Sequence, residues 1–403
     1  CEAARCRRFD ARQLGRGPIP SHIRCMTPAT TTHAAVETLR QLVAFDTTSR
    51  NSNMSLIDWA ENVLKGLGAR TEKIATPDGA KANLWATLGP DIPGGVVLSG
   101  HTDVVPVDGQ PWSTDPWDLT EKDGKLYGRG TCDMKGFVAC ALAAAPRMAA
   151  LDLKRPIHFA FSHDEEVGCK GVPALIERVV ATKPLPGAVI IGEPTDMNVV
   201  SGHKSMASFI CEVEGREAHS SQLDKGVSAV MEALRIMRVV QDMSDEARAR
   251  WDPASPFDPP GTTITIGVVE GGTAVNILAR RCTFIWDLRC VPGDDPDAYV
   301  ARFAAACAEV DADIKARAPE GGVRWTERSR NPALAIVPDS EAERLARSIT
   351  GDNAERVVAF MTEGGLFQEA GMSTVVIGPG SIQQAHQPDE FVAVDQIAAC
   401  VRF

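Results

Sequence analysis

The sequence has little of what marks nucleic-acid-binding and membrane proteins. Basic residues are in deficit, because 42 Lys and Arg stand against 53 Asp and Glu, for a formal net charge of -11. This balance argues against nucleic acid or an anionic membrane as the main partner. The longest apolar run, residues 137–146, is far shorter than the roughly 20 residues of a membrane span. With 44% hydrophobic and 24% charged residues, the 403-residue chain is instead typical of a soluble globular protein large enough for two domains.

The cysteines lack the spacing of a disulfide framework or a zinc ribbon. There are 11, an odd number, and no two of them form a CxxC pair. Most lie in apolar stretches, as Cys140, Cys211 and Cys282 do, and we expect these to be reduced core residues. This usage predicts a cytoplasmic protein.

Both ends of the chain differ from the rest. The first 25 residues are rich in Arg and Cys and lack the apolar segment of a secretory signal, whereas Met26 looks like a more natural start. We expect residues 1–25 to be a non-native or disordered leader, with an organelle transit peptide as the alternative. A helix predicted from Val394 reaches residue 403 without a capping residue, so we expect the C-terminus to be incomplete.

Apolar runs that alternate with helical patterns predict an α/β domain with a sheet flanked by helices. The predicted strands cover residues 71–75, 83–88, 96–101, 157–161 and 188–191. Predicted helices cover residues 33–45, 56–67 and 172–180, and another begins after Gly136. A helix at 340–349 and a strand at 374–377 return to the same domain, which therefore covers residues 26–199 and 331–403.

The pattern changes near residue 200. Long alternating strands are predicted at 206–214, 262–269 and 281–288, with a shorter one at 322–327. Helices are predicted around 227–240 and at 296–316. The order β-α-β-β-α-β predicts a ferredoxin-like domain, residues 200–330, inserted into the larger one.

Polar side chains follow the predicted buried strands where each strand ends. They are His101, Asp103, Asp133, Glu165, Glu166, Glu193 and, near the C-terminus, His386. Because carboxylates that converge at one sheet edge repel each other, we expect a cation to neutralise them. Histidines with carboxylates suit zinc or a similar divalent ion, and a shared carboxylate would suit two ions. Two ions would polarise a carbonyl and acidify a water molecule, which points to hydrolysis of an amide or peptide bond.

These motifs resemble those of a known family, the dinuclear zinc aminoacylases and deacylases. The resemblance runs from about residue 31 to the C-terminus. It rests on five motifs in the same order: GHTDVVP at 100–106, GRGTCDMKG at 128–136, DEEVG at 164–168, GEPT at 192–195 and AHQPDE at 385–390. It implies a zinc-peptidase-like catalytic domain with a central mixed sheet, and a substrate that is an N-acyl amino acid.

The resemblance implies two zinc ions per subunit, with cobalt as a substitute. The implied ligands are His101, Asp133 and Glu193 for one ion, and Asp133, Glu166 and His386 for the other, so that Asp133 bridges. Glu165 would be the general base. Asp103 would orient His101 by accepting its second N–H.

The inserted domain resembles the family's lid and dimerisation domain. In the segment 215–221, His219 looks like the lid histidine that reaches the partner subunit's active site to stabilise an oxyanion, which implies a homodimer. Asn276 and Arg289 look like substrate contacts, with Arg289 a candidate for the substrate carboxylate. Arg289 could instead pair with acidic residues of its own domain.

One segment departs from the family pattern. At 360–365, relatives with other substrates carry a Gly/Ser-rich loop, whereas this chain has Glu363. We hypothesise that Glu363 lies beside the substrate side chain and favours a cationic group there.

Three rival functions stay open at this point. A related deacylase or dipeptidase of the same family would act on a different N-acyl amino acid, such as a succinylated one. A mononuclear aminopeptidase would not need both Glu166 and His386. A catalytically inactive binding protein would have lost the base or a ligand, and all of them are present.

Overall fold

The structure is a computed structural model that describes residues 27–403. The predicted leader, residues 1–25, and Met26 lie outside the described residues. Within them the chain divides into two compact units. The first comprises residues 27–200, Pro338–Glu355 and Thr362–Phe403, and the second comprises Ser201–Val337 and Arg356–Met361.

The secondary structure follows the alternation predicted from sequence. In chain order the strands are β1 (Arg70–Ala75), β2 (Ala82–Leu88), β3 (Val96–His101), β4 (Thr120–Lys122), β5 (Lys125–Tyr127), β6 (Ile157–Ser162), β7 (Ala188–Ile191), β8 (Gly202–His203), β9 (Met206–Glu214), β10 (Thr263–Gly271), β11 (Arg281–Arg289), β12 (Gly322–Asn331), β13 (Val357–Val358), β14 (Ser373–Val376) and β15 (Phe391–Ala393). The helices are α1 (Pro28–Val43), α2 (Met54–Gly66), α3 (Lys135–Ala149), α4 (Val172–Thr182), α5 (Ala229–Ala249), α6 (Pro296–Arg317), α7 (Glu341–Thr350), α8 (Gly364–Glu369) and α9 (Val394–Arg402). A short 3-10 helix covers Ile382–Gln384.

A mixed six-stranded sheet in the order β1-β2-β6-β3-β7-β14 organises the first unit. Strand β2 pairs antiparallel with β1 on one side and with β6 on the other, whereas β6, β3, β7 and β14 are mutually parallel. Every residue of β2 and β7 is buried, as expected for strands covered on both faces. Because β3, β6 and β7 are parallel, the residues that follow them emerge at one edge of the sheet.

Helices α1, α3 and α9 pack against one another, and α4, α7 and α8 contact the strands of the same sheet. Helix α3 begins two residues after Asp133, and its alanine-rich side is buried in the core. Its Phe137 lies so close to Gly192 that a Cβ built there would be 2.0 Å from the ring. Only glycine therefore allows the chain to leave β7 in this direction and place Glu193 beside the sheet edge.

A three-stranded sheet in the order β15-β5-β4 was not predicted from the sequence. Strand β15 pairs antiparallel with β5, with Phe391 opposite Tyr127. This pairing brings a segment close to the C-terminus alongside the segment that leads into Asp133.

The second unit contains the predicted β-α-β-β-α-β order as β9-α5-β10-β11-α6-β12. Its antiparallel sheet has the order β10-β11-β9-β12, and α5 and α6 pack together and on the sheet. Aromatic side chains fill the core, where Phe209 stacks on Trp286 with 4.5 Å between ring centroids. Residues 331–337 and 356–361, placed by sequence in the first domain, belong here because β12 extends to Asn331 and β13 pairs with β8.

No helix within residues 27–403 has the length and apolarity that crossing a bilayer requires.

Candidate metal centre

His101 is the last residue of β3, and its side chain is 1% exposed. Its Nδ1 donates a hydrogen bond to the main-chain carbonyl of Asp103, at 2.9 Å. The opposite nitrogen, Nε2, lies 2.9 Å from Asp133 Oδ1 and 3.5 Å from Glu193 Oε1. The bond at Nδ1 fixes the ring so that Nε2 faces these two carboxylates, which is the orientation that a metal-ligating histidine needs.

His386 approaches the other oxygen of Asp133. Its Nε2 is 3.3 Å from Asp133 Oδ2 and 3.0 Å from Glu166 Oε2. The two oxygens of Asp133 therefore point to different histidines, as a bridging carboxylate would. His386 has a φ of +63°, a left-handed conformation that few residues other than glycine adopt.

Each of the two groups has the donor set of a metal site. In the group of His101, Asp133 and Glu193, and in that of Asp133, Glu166 and His386, the candidate ligand atoms lie within 4.8 Å of one another. Glu166 Oε1 is buried without a hydrogen-bond partner among the described residues. A buried oxygen of this kind is costly unless something else binds it, so the cluster fits a pair of cations such as Zn²⁺.

The pKa values show how crowded these carboxyl groups are. Burial and the neighbouring Asp133 raise the pKa of Glu166 to about 7 and that of Glu193 well above its usual value. Hydrogen bonds to Asp133 and Glu166 raise the pKa of His386 to about 11. Burial alone would lower the pKa of His101, but its bond to Asp133 and nearby carboxylates raise it well above the usual value. The cluster thus retains protons that a bound cation would replace.

Glu165 belongs to neither group of candidate ligands, although it is 8% exposed and close to both. Burial and the charges of Glu166 and Asp133, acting against the favourable charge of His101, leave its pKa well above the usual value. Its main-chain N–H donates to Asp103 Oδ1 at 3.0 Å. A buried carboxyl group near both groups of candidate ligands, but a member of neither, is consistent with the general base expected from the sequence, which stays a prediction.

The structure corrects the interaction predicted between Asp103 and His101. The Asp103 carboxylate lies 3.7 Å from His101 Nδ1, and the main-chain carbonyl of Asp103 takes the hydrogen bond instead. Its carboxylate is already occupied, because it accepts bonds from the N–H of Glu165 at 3.0 Å, the N–H of Glu166 at 3.3 Å and Ser49 Oγ at 2.6 Å. Asp103 therefore orients His101 with its backbone and the turn at 165–166 with its side chain.

Glu363 is 1% exposed and lies against the strands β3 and β6. Its two oxygens accept hydrogen bonds from Ser99 Oγ at 3.3 Å and from Ser162 Oγ. Burial raises the pKa of this carboxyl group. The carboxylate is thus directed into the sheet, and its predicted contact with a substrate side chain stays a prediction.

The cysteines beside the ligands are buried thiols. Burial, reinforced by nearby carboxylates, raises the pKa of both Cys132 and Cys169. Because only a thiolate binds metal strongly, these residues suit packing rather than ligation.

The remaining predicted residues lie in the second unit. His219 is exposed, and its Nδ1 is 2.8 Å from Ser221 Oγ. Asn276 is also exposed, and its carbonyl accepts the N–H of Ser220 at 3.0 Å. Arg289 Nε is 3.3 Å from Asp287 Oδ1, so Arg289 pairs with an acidic residue of its own domain, the alternative to a contact with the substrate carboxylate.

Sequence reasoning missed Arg129 and Glu390, which form a buried ion pair at 2.7 Å with both side chains 1% exposed. Both residues lie inside the motifs at 128–136 and 385–390. A charged residue in each of two motifs that converge was the available signal, but opposite charges far apart in sequence do not reveal their partner.

Comparison with known proteins decides the family. The model of Peptidase family M20/M25/M40 matches residues 97–403. The chain belongs to this family. An acetylornithine deacetylase of Myxococcus xanthus is 38% identical over 368 residues, covering 90% of this chain and 93% of that protein. One from Pasteurella multocida is 34% identical over 351 residues, covering 86% and 88%.

A solved member of the family has the same fold. The metallo-carboxypeptidase Sso-CP2 of Sulfolobus solfataricus superposes with a TM-score of 0.74 at 16% identity, over 91% of this chain and 97% of its own. The expected catalytic fold, a central mixed sheet flanked by helices, is therefore confirmed, as is the resemblance to metal-dependent hydrolases.

Proposed function

We propose that this protein hydrolyses the amide bond of N2-acetyl-L-ornithine, with L-ornithine and acetate as products. The observation that carries the proposal is the arrangement of Asp133 between two histidines, with the buried carboxyl group of Glu165, which belongs to neither group of candidate ligands, nearby. The relatives with the highest identities given above are acetylornithine deacetylases, and this chain spans about nine-tenths of their length. The segments 202–209 and 378–391 also resemble that branch of the family.

The proposed cofactor is a pair of Zn²⁺ ions, with Co²⁺ as a substitute. The set of ligands is His101, Asp133 and Glu193 for one ion and Asp133, Glu166 and His386 for the other. Bound there, the ions would polarise the acetyl carbonyl and lower the pKa of a water molecule between them. Carboxylate and imidazole donors without an available thiolate match this choice of metal.

Glu165 is the proposed general base and general acid. It takes a proton from the attacking water and delivers it to the leaving amine, so that the C–N bond breaks and the amino group leaves neutral. Asp103 holds the backbone of Glu165 in place at 3.0 Å. His219 of a second subunit is the proposed donor to the oxyanion that forms on the acetyl oxygen.

A homodimer through the second unit supplies that histidine. Strand β10 is at an edge of its sheet and exposes Val268 by 42% and Val269 by 54%. Helix α5 exposes Met231 by 60% and Leu234 by 54%. The outer side of β10 has no neighbouring strand, and the unit also exposes apolar side chains. Such a surface is well suited to pair with a second copy, since monomeric proteins seldom leave a sheet edge uncovered.

The compartment proposed is the cytoplasm. The eight cysteines of the described residues are all buried thiols. Thiols in this number suit a reducing environment. The reaction would there supply ornithine for arginine synthesis.

The test is a panel of N-acyl amino acids assayed with purified, Zn²⁺-loaded protein. It includes N2-acetyl-L-ornithine, N-acetyl-L-methionine, N-succinyl-L,L-diaminopimelate and an unmodified dipeptide. The proposal expects the highest kcat/KM for acetylornithine. A higher kcat/KM for the succinyl substrate or the dipeptide would replace the substrate assignment, and no turnover of any member would favour a binding protein on the same scaffold.

A further inference from the structure

Arg129 is a buried cation that binds none of the candidate ligands directly. Its side chain is 1% exposed. Nη1 donates to Glu390 Oε2 at 2.7 Å, and Nη2 donates to Gln110 Oε1. The guanidinium group lies 5.1 Å from the centre of the Trp112 ring, which covers it. A buried charge is costly, so each of these contacts matters for the position of the group.

Glu390 connects Arg129 to the turn that carries Asp133. Its Oε1 accepts the main-chain N–H of Cys132 at 2.8 Å and that of Asp133 at 3.0 Å. Its Oε2 accepts the N–H of Gly130 at 3.0 Å. With Arg129, four donors meet on one buried carboxylate, and three of them belong to the backbone of the turn. The position of Asp133 therefore depends on where Glu390 is held.

Gln110 connects Arg129 to the segment that carries His386. Its Nε2 donates to the main-chain carbonyl of His386 at 2.9 Å, while its Oε1 accepts from Arg129 and from Trp112 Nε1. Arg129 Nη1 also lies 3.3 Å from the carbonyl of Gln387. The His386 side chain is 54% exposed and its backbone is left-handed, so packing in the core does little to fix its position. The bonds from Gln110 and Arg129 to the main chain at 386–387 fix it instead.

The other candidate subsite is held differently. His101 ends the buried strand β3, and Glu193 follows the buried strand β7. Neither residue contacts Arg129, Glu390 or Gln110 in the bonds described above. Asp133 is the point that the two subsites share, whereas His386 belongs to one of them alone.

We infer that Arg129 is a positioning residue for the Asp133–Glu166–His386 subsite, because it ties the Asp133 turn to the His386 segment through Glu390 and Gln110. The inference rests on the proposed two-metal centre. Loss of this connection releases His386, whereas His101 and Glu193 stay in place at the ends of their strands. The ion at the Asp133–Glu166–His386 subsite then binds more weakly, while the ion at the His101–Asp133–Glu193 subsite is retained.

A purely structural role for the ion pair would predict something else. Removing one partner of any buried pair destabilises a fold, because it leaves a charge without compensation. Stability alone therefore does not distinguish the two roles. The number of metal ions bound, and the affinity of each, does distinguish them.

The experiment measures Zn²⁺ binding to metal-free protein by titration calorimetry, with metal content after dialysis as a second readout. Three variants are compared with the wild type. Arg129→Met removes the cation, and Gln110→Ala removes the link to the His386 segment but keeps the Arg129–Glu390 ion pair. Arg347→Met is the control, because Arg347 forms a partly buried pair with Glu343 at 2.8 Å within α7, away from the donors.

We expect Arg347→Met to bind two ions, each with the affinity that it has for the wild type. In Arg129→Met and in Gln110→Ala, the weaker-binding step should lose about 10- to 100-fold in affinity while the tighter step changes little. With Co²⁺ in place of Zn²⁺, the visible absorption of the second equivalent should change and that of the first should not. Should Arg129→Met fail to fold, Gln110→Ala decides alone.

Two ions bound with wild-type affinities in Arg129→Met and Gln110→Ala would overturn the inference. Equal weakening of both steps would do the same, as would an equal loss in Arg347→Met. A wild type that binds fewer than two ions would instead refute the proposed two-metal centre, and the inference with it. The two failures are therefore distinguishable.

Discussion

The carboxylate of Asp103 accepts the main-chain N–H of Glu165 at 3.0 Å, and so fixes the residue proposed as the base. The same carboxylate accepts the N–H of Glu166 at 3.3 Å. One side chain thus sets the distance between a base and a candidate metal ligand that are adjacent in sequence. Adjacent residues on an irregular turn otherwise have no fixed orientation relative to each other.

Replacement of Asp103 by Ala should reduce turnover more than metal binding. Without its carboxylate the turn at 165–166 loses two main-chain hydrogen bonds and Ser49 Oγ loses a third, while the main-chain carbonyl that orients His101 remains. We expect kcat to fall about 10- to 100-fold with two ions still bound. Steady-state kinetics and metal analysis on the same sample measure both quantities. The prediction would be wrong if the variant lost the ion at the His101 subsite but kept a wild-type kcat per metal-loaded active site. The Asp103 carboxylate would then be what orients His101.

Glu363 offers a test of substrate choice. If its carboxylate favours a cationic substrate group, Glu363→Gln should lower kcat/KM for acetylornithine far more than for acetylmethionine. The amide retains the size of the side chain and can still bind Ser99 and Ser162, so packing is the same for both substrates. An equal fall in kcat/KM for the two substrates would mean that Glu363 only stabilises the ends of β3 and β6 and does not select the substrate.

Metal binding should release protons at pH 7. The pKa of His386, raised to about 11 by its bonds to Asp133 and Glu166, keeps this imidazole protonated in the metal-free protein. Burial also raises the pKa of Glu166 to about 7. Because ligands bind metal only when deprotonated, we expect about two protons or more to be released per pair of ions. Calorimetry in buffers of different ionisation enthalpy counts them, and a count of zero would contradict the proposed ligands.

His158 should make the fold sensitive to acid. It is 6% exposed, stacks on Trp85 and has its pKa lowered to about 4 by burial. The unfolded chain, with a pKa near 6.5, binds the proton more readily, so stability is full above pH 6.5 and falls as the pH drops towards 4. The shift corresponds to about 3 kcal/mol.

The variant His158→Gln should therefore flatten the pH dependence of the free energy of unfolding between pH 6.5 and 4. Urea unfolding of metal-free protein at several pH values gives this slope. His33→Gln, on the exposed side of α1, is the matched control and should leave the slope as it is. An unchanged slope in His158→Gln would refute the assignment.

A site shared between two subunits should allow two inactive variants to complement each other. Glu165→Gln lacks the base and His219→Ala lacks the proposed oxyanion donor. In a mixed dimer, the subunit with an intact Glu165 receives His219 from its partner. Random exchange of subunits should restore about a quarter of the wild-type activity. Activity that never exceeds the sum of the two separate variants would place His219 outside the partner's site.

Much of the fold could be predicted from periodicity, because the buried strands are continuous apolar runs. The strand Ala188–Ile191 and the helix beginning at Val172 are examples. Strands β4, β5 and β15 could not be found this way. Each has three residues, and Lys125–Tyr127 pairs with a strand more than 260 residues further along the chain.

The sequence predicted which residues belong to the candidate site better than it predicted the contacts among them. The order of motifs pointed to His101 and Asp133, which the structure brings within 2.9 Å of each other. Which oxygen of Asp103 would face His101 depends on a backbone turn, and a sequence does not carry that information. The Arg129–Glu390 pair was missed for a related reason, since its energetics depend on burial that only the fold reveals.

Product analysis by NMR with N2-acetyl-L-ornithine as substrate tests the proposed reaction most directly. Wild-type protein, metal-free protein, protein reloaded with two equivalents of Zn²⁺ and loaded Glu165→Gln are compared. Glu177→Gln, at an exposed position of α4, serves as the control for exchange of a carboxylate for an amide. We expect equimolar ornithine and acetate from the loaded wild type and the control, none after chelation, and a rate about 10²- to 10⁴-fold lower in Glu165→Gln. Undiminished product formation by the metal-free protein or by loaded Glu165→Gln would contradict the proposed reaction.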